Sequence, residues 1–252
     1  PDPQISAEVK INLTILVLGA MVMILNETAL SVALPTIMAD FGIPATSAQW
    51  LLTGFLLTMG VVIPTTGFLM DKFTTRQIFL ASSGVFLAGT VLAALAPAFG
   101  VLLVGRVFQA AGTALMIPTL MTVAMTLVPP QRRGSVMGII SVVISVAPAL
   151  GPTVGGFVLS MSSWHVIFWT MVPLLGLICA AGYFRLVNVG DKRDTPLDFP
   201  SVVLSVFAFG GLVYAVSSLE NMLEGDGLVD IVVLIVGLVA LALFTRRQLR
   251  LA

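Results

Sequence analysis

The chain has 252 residues, of which 58% are hydrophobic and only 10% are charged, whereas about a quarter of the residues in ordinary soluble domains are charged. Its mean hydropathy is +1.09, and its 12 basic residues balance 12 acidic ones. A soluble chain of this length cannot hide so much apolar surface behind so few polar groups, which excludes soluble enzymes, disordered segments and nucleic-acid-binding proteins. The composition therefore predicts an integral membrane protein whose main partner is the lipid bilayer.

Eight apolar runs are candidates for transmembrane helices, since a helix needs about 20 apolar residues to cross a bilayer. The runs are continuous rather than alternating, which favours helices over a β-barrel. They are Ile11–Leu34, Gln49–Met70, Ile78–Ala96, Val101–Val128, Ser135–Met161, Val166–Phe184, Phe199–Ser218 and Val229–Phe244. The predicted fold class is thus an all-α, polytopic membrane protein with about eight transmembrane helices, of which the eighth is short.

The basic residues indicate how these helices are oriented. All but one of them lie at the termini or in alternate connections, namely Lys10, Lys72, Arg76, Arg132, Arg133, Arg185, Lys192, Arg193, Arg246, Arg247 and Arg250. By the positive-inside rule, both termini are expected to be cytoplasmic, in a plasma membrane such as the inner membrane of a bacterium. The other connections carry only acidic residues, which we interpret as solvated loops: Asp40, Glu220, Glu224, Asp226 and Asp230.

Only two charged residues lie well inside the runs, Glu27 in the first and Arg106 in the fourth, since Asp230 is at the very start of the eighth. A charge inside a membrane is expensive unless it is paired or hydrated, so it indicates a functional site. Because the two runs cross in opposite directions, a rise of about 1.5 Å per residue places both charges at a similar depth in the outer half. The sequence leaves two alternatives open: the charges face a water-filled cavity and serve transport, or they form a buried pair that only joins the helices.

Polar and small residues add further candidates. Gln109 lies on the same predicted helix face as Arg106 and extends a polar interior wall. The fifth run carries residues that bend helices or let them touch, which predicts either a hinge or a static kink: Pro148, Gly151, Pro152 and Gly155. Trp164 and the other two tryptophans lie near run ends, which is typical of an interfacial belt.

The turn after the second run combines Asp71 with the bases Lys72 and Arg76, as a local ion-pair cluster or an ordinary capped turn. Cys179, the single cysteine, lies in an apolar run, where a buried side chain is its expected role. No metal-ligand cluster, phosphate-binding loop or nucleophile triad is visible. The sequence therefore predicts neither an enzyme nor a bound cofactor.

Four segments resemble motifs of the major facilitator superfamily. Gly67-xxx-Asp71-Lys72-xxx-Arg76 resembles its loop motif, Arg106-Val107-Phe108-Gln109-Ala110-Ala111-Gly112 its fourth-helix motif, and Ala147–Gly156 the fifth-helix motif of its antiporters. Leu25–Pro35 resembles the first-helix motif of the fourteen-span drug:proton antiporters. Gln49–Thr53 and Leu197–Phe199 are similar to that family as well. Asn26 stands where many members carry Asp, so the acidic group is shifted to Glu27, about 100° further around the helix.

This resemblance implies a six-helix N-terminal transporter domain at residues 1–190 and two additional central helices at 191–252. It also implies a C-terminal six-helix half as partner, which is expected to be absent from this chain. The implied activity is proton-coupled multidrug efflux by alternating access, a cause of antibiotic resistance, with protons as the coupling ion and lipophilic, often cationic, small molecules as substrates.

The resemblance also implies roles for the candidate residues. Glu27, Asn26, Arg106 and Gln109 would couple protons to substrate, Pro148, Gly151, Pro152 and Gly155 would form the hinge, and Gly67, Asp71, Lys72 and Arg76 would form the cytoplasmic gate. Two other functions remain as alternatives. One is a proton-coupled transporter of lipids, amino acids or sugars, and the other is a membrane assembly subunit that transports nothing.

Overall fold

The structure is a computed structural model that describes residues 5–189, 199–217 and 228–251. Its helices in chain order are α1 (Ala7–Phe41), α2 (Ala45–Ala48), α3 (Trp50–Lys72), α4 (Thr75–Ala94), α5 (Phe99–Leu127), α6 (Pro130–Met161), α7 (His165–Arg185), α8 (Phe199–Ser217) and α9 (Leu228–Leu251). Within the described residues, seven spans are long and apolar enough to cross a membrane, with α2 and α3 counted as one, and α8 contributes a shorter apolar stretch, Pro200–Val216. The prediction that the eighth run is the short one is therefore wrong, because the short stretch corresponds to the seventh run. These helices confirm the predicted all-α, polytopic membrane fold.

Several helices extend beyond the predicted runs. The first continues through Pro35 to Phe41, because a membrane helix tolerates proline where its surroundings satisfy the freed backbone group. It ends at Gly42, which has a left-handed φ of 62° and donates its N–H to the carbonyl oxygen of Met38. The sixth helix begins at Pro130, a position that suits proline because the first helical N–H needs no partner.

Some sequence predictions lie outside the described residues. They include the basic residues Lys192 and Arg193, the acidic residues Glu220, Glu224 and Asp226, and the Leu197–Asp198 part of the family motif. The predicted boundary between residues 1–190 and 191–252 also falls there.

Close helix contacts depend on glycines. An added Cβ at Gly105 on α5 would lie 2.8 Å from the carbonyl oxygen of Gly89 on α4, and one at Gly112 would lie 2.7 Å from that of Ser82. Real side chains cannot approach a backbone so closely, so only glycine permits this α4–α5 contact. On the other side, α1 packs against α6 and α7.

Polar and aromatic contacts fix the two ends of the bundle. We call one end the basic end because four basic residues lie there: Lys10, Lys72, Arg76 and Arg185. At this end the Val187 N–H donates to Asn12 Oδ1 at 2.7 Å. Thr75 Oγ1 donates to the Val189 carbonyl oxygen at 3.2 Å. At the other, the aromatic end, the rings of Phe41, Phe99 and Trp164 meet. There the Trp164 indole donates to Asp40 Oδ2 at 2.9 Å.

Candidate functional site

Arg106 lies in α5 with no exposed surface, held between α5 and α3. Its Nη1 donates to Gln109 Oε1 at 2.9 Å, and its Nε donates to the carbonyl oxygen of Leu51 at 3.3 Å. The guanidinium carbon is 4.2 Å from the centroid of the Phe55 ring, a distance that gives a cation–π attraction. The contacts around this cation therefore come from neutral groups.

The polar contacts continue from Arg106 into α4. Gln109 Nε2 donates to Thr90 Oγ1 at 2.9 Å, and Thr90 Oγ1 donates to the Phe86 carbonyl at 2.8 Å. All three polar side chains are buried. This chain of hydrogen bonds joins α3, α5 and α4, and it fixes the position of the guanidinium group.

Glu27 lies in α1 and is half-buried. Its charge interacts electrostatically with that of Arg106. The carboxylate and the guanidinium nevertheless form no ion pair within 4.0 Å, and Arg106 Nη2 has no hydrogen-bond partner. The described residues therefore do not form the buried pair in direct contact, which was one of the two alternatives left by the sequence.

Asn26 points in a different direction from its neighbour Glu27. It has no exposed surface, and neither its amide nitrogen nor its amide oxygen has a hydrogen-bond partner. An unsatisfied buried polar group costs about 1–3 kcal/mol. The shift of the acidic residue by one position therefore places a neutral amide in the packed interior and leaves the carboxylate half-exposed.

The four predicted hinge residues divide between two faces of α6, which is continuous from Pro130 to Met161. Gly151 and Gly155 are buried against α1, where an added Cβ at Gly155 would lie 2.7 Å from the Ala29 carbonyl oxygen and one at Gly151 would meet Thr28. Pro148 and Pro152 are exposed. The glycines thus form the α1–α6 contact directly beside Glu27.

The turn between α3 and α4 is a capped turn. Thr74 and Gln77 form a reciprocal capping box, with N–H to side-chain distances of 3.0 and 3.2 Å. Arg76 lies over the Tyr183 ring at 4.7 Å. Asp71 makes no ion pair with Lys72 or Arg76, and Gly67 has open space around its Cα.

One contact at the aromatic end was not predicted from the sequence. Trp164 is only 1% exposed, so the interpretation of this tryptophan as part of an interfacial belt is wrong. Its indole is satisfied by Asp40, and His165 stacks on it with ring centroids 3.6 Å apart. The signal was present in the sequence as an acidic residue in the connection after the first run, but its partner lies 124 positions away.

One apolar cavity lies away from the charged site. It has a volume of about 280 Å³ and lies between α3, α4 and α5, lined by Leu69, Phe73, Gln77, Ile78, Ala81 and Leu115. Across the described ranges, no group of three or more His, Cys, Asp or Glu side chains is placed to hold a metal ion.

Comparison with known proteins places this arrangement among transporters. The sequence profile of the Major Facilitator Superfamily matches residues 16–246. The chain is 44% identical to the uncharacterized MFS-type transporter YcnB of Bacillus subtilis, over 94% of this chain and 50% of that protein. It is 42% identical to the lincomycin resistance protein LmrB of the same species, over 93% of this chain and 49% of LmrB.

More distant similarities agree. A multidrug resistance protein B homolog of Mycobacterium tuberculosis is 31% identical over 80% of this chain and 37% of its own length. Among solved structures, the human organic anion transporter MFSD10 (TETRAN) matches with a TM-score of 0.66 at 16% identity, over 83% of this chain and 55% of that one. The chain spans about half the length of the curated relatives it matches.

Proposed function

Because this chain belongs to the major facilitator superfamily, we propose that it supplies the N-terminal half and the central helix pair of a proton-coupled multidrug exporter, a transporter rather than an enzyme. In this proposal residues 1–190 form the six-helix domain and residues 191–252 form the central pair. A second, C-terminal half completes the transporter. The names of the drug-resistance relatives support multidrug export over transport of lipids, amino acids or sugars.

The observation that carries the proposal is the placement of Glu27 relative to Arg106. Glu27 is half-buried in the middle of α1, whereas the other acidic residues of the described helices lie in a first or last turn. It interacts with a fully buried cation without contacting it. A carboxylate in this position is able to exchange a proton or a cationic substrate, because its oxygens form no ion pair with Arg106.

Each neighbour then has a role in coupling. Arg106 acts as a fixed positive charge that opposes protonation of Glu27 or binding of a second cation there. Gln109 holds the guanidinium in place, and the unsatisfied amide of Asn26 offers a polar group to whatever enters between α1 and its neighbours. Protons that arrive from outside displace the substrate from Glu27 and drive its export.

The conformational steps use the two other groups of residues. Gly151 and Gly155 hold α1 and α6 in close contact. Pro148 and Pro152 weaken the backbone ladder of α6 at the same level, so that α6 is able to bend there. We propose that the basic end lies on the cytoplasmic side of a bacterial inner membrane. A gate is formed there by Asp71 and its neighbours Gly67, Lys72 and Arg76. The Asp71 carboxylate is exposed and makes no ion pair within the described residues, so it remains available to a facing helix of the other half.

The test is Glu27→Gln in the complete transporter, which keeps the size of the side chain but removes its titration. Glu8→Gln is the matched control, because Glu8 lies on the same helix but is exposed in its first turn. We expect Glu27→Gln to abolish pH-gradient-driven efflux of a cationic drug in proteoliposomes while binding of a neutral substrate survives. Full proton-driven efflux by Glu27→Gln would place the coupling group elsewhere.

The proposal also predicts the behaviour of the 252-residue chain alone. Substrate sites in such transporters form between two domains that move against each other. The reconstituted chain is therefore expected to show no proton-driven flux above that of empty vesicles. Measurable flux would contradict the proposed half-transporter and would leave the family assignment intact.

A further inference from the structure

The central helix α8 packs antiparallel along α3 through two glycine–valine contacts. An added Cβ at Gly60 on α3 would lie 3.0 Å from Val213 Cγ2 on α8, and an added Cβ at Gly210 on α8 would lie 3.1 Å from Val61 Cγ2 on α3. Each helix thus provides a glycine opposite a valine of the other. Such reciprocal small-to-branched contacts bring two membrane helices close and fix their register.

An aromatic contact extends this surface toward the aromatic end. The rings of Trp50 at the start of α3 and Tyr214 near the end of α8 have centroids 6.5 Å apart at 34°. That separation lies within the range in which aromatic pairs attract each other. We call the surface formed by Trp50, Gly60, Val61, Gly210, Val213 and Tyr214 the α3–α8 seam.

Helix α9 is joined to α8 equally closely. An added Cβ at Gly211 would lie 3.0 Å from the Cα of Gly237, and the rings of Phe209 and Phe244 meet edge to face at 6.1 Å. Apart from α9, the helix against which α8 mainly packs is α3. The central pair is therefore one unit, attached to the rest of the described chain through the seam.

We propose that the α3–α8 seam makes the central helix pair a fixed part of the N-terminal half, so that α8 and α9 move together with α3 when the transporter changes its access state. The inference rests on the alternating-access mechanism proposed above. Packed surfaces with interlocking shapes are rigid, whereas surfaces that slide have to lose such contacts in one state. In this arrangement the moving boundary lies between α8–α9 and the C-terminal half.

A disulfide across the seam tests this proposal. The added Cβ at Gly60 would lie 4.0 Å from Val213 Cβ, inside the range of about 3.5–4.5 Å that a disulfide requires. The variant is Gly60→Cys with Val213→Cys in a complete transporter that carries Cys179→Ala, and each single variant is a control. Val61→Cys with Gly210→Cys is a second pair for use if the first pair reduces membrane insertion, because an added Cβ at Gly210 would lie 3.1 Å from Val61 Cγ2, near the place of a cysteine Sγ.

Two readouts separate this inference from the proposed function. The first readout is the yield of the disulfide, measured by gel shift with and without a pH gradient and a drug. The second readout is the labelling of a reporter cysteine placed at each membrane face. We expect full cross-linking in every condition, unchanged switching of the reporter, and efflux within about twofold of the reduced protein. Failure of both pairs to cross-link would overturn the proposal, as would a loss of switching by about tenfold or more that reduction restores. Switching that persists without drug efflux would contradict the proposed substrate and leave the rigid seam standing.

Discussion

The surroundings of Arg106 and of Glu27 differ in how firmly the protein holds each charge. Arg106 has no exposed surface, two hydrogen bonds, an aromatic ring beside it and a partner, Gln109, that is itself bonded to Thr90. Glu27 is half-exposed on α1, next to a helix contact made of small residues. The side of the bundle around Arg106 is thus cross-connected by polar groups, whereas the α1–α6 side is held by close backbone packing.

This difference suggests a division of labour between a fixed charge and an exchangeable one. A guanidinium stays charged at any accessible pH, and its fork-shaped donors suit a rigid site. A half-buried carboxylate, by contrast, is able to gain or lose a proton. Substitutions that remove the polar contacts of Arg106 and substitutions that obstruct the α1–α6 contact are therefore expected to have different effects on stability and efflux.

The largest effect is expected for Arg106→Met. The variant removes two hydrogen bonds from a charged group and leaves Gln109 Oε1 without its donor, which destabilises the protein by roughly 3 kcal/mol. Arg185→Met is the control because Arg185 is exposed. Thermal unfolding in detergent is expected to occur at a clearly lower temperature for Arg106→Met only. Equal midpoints for the two variants would show that the Arg106 contacts contribute little stability.

The variant Gly155→Leu, with Gly156→Leu as its control, tests the α1–α6 contact. A side chain at Gly155 would collide with the backbone of Ala29, and such overpacking costs about 1–3 kcal/mol. At the adjacent Gly156, an added Cβ has nothing within 4 Å. We expect Gly155→Leu to lower the yield of folded protein and to stop efflux, while Gly156→Leu keeps both. The opposite ranking would mean that α6 presents another face to α1.

A smaller effect is expected at the aromatic end, which neither charge reaches. Asp40→Leu removes the acceptor of the Trp164 indole N–H, and a typical hydrogen bond contributes about 1 kcal/mol. Glu8→Leu, at the opposite end of the same helix, is the control. Tryptophan fluorescence is expected to report a changed Trp164 environment in Asp40→Leu and none in Glu8→Leu. An unchanged spectrum in both would place the Trp164 indole away from Asp40.

Much of the fold is predictable from the sequence because the bilayer dictates it. Length and continuous apolarity located the eight long helices but not the short α2, and the residue types on α5 placed Arg106 and Gln109 on one interior face. Helix ends were less predictable, since the first predicted run ends at Leu34 and the fifth begins at Ser135, whereas α1 continues through Pro35 and α6 begins at Pro130. In these cases the local rule was overridden by packing and by the position of the proline in the helix.

The partners of the site residues were not predictable. Asn26 and Glu27 are adjacent in sequence, yet only the packing of α1 shows that the amide is buried and the carboxylate half-exposed. Long-range partners such as Leu51 for Arg106 and Asp40 for Trp164 depend on how antiparallel helices align. That alignment depends on glycine contacts such as Gly89 with Gly105, whose partners the sequence does not reveal.

The most direct test of the central claim is to measure the protons released when the complete, detergent-solubilised transporter binds a cationic drug in weakly buffered solution. If Glu27 is the group that exchanges a proton for substrate, the native protein releases protons on binding and Glu27→Gln releases none, while Glu8→Gln behaves as the native protein does. Equal proton release by the native protein and Glu27→Gln would contradict the claim.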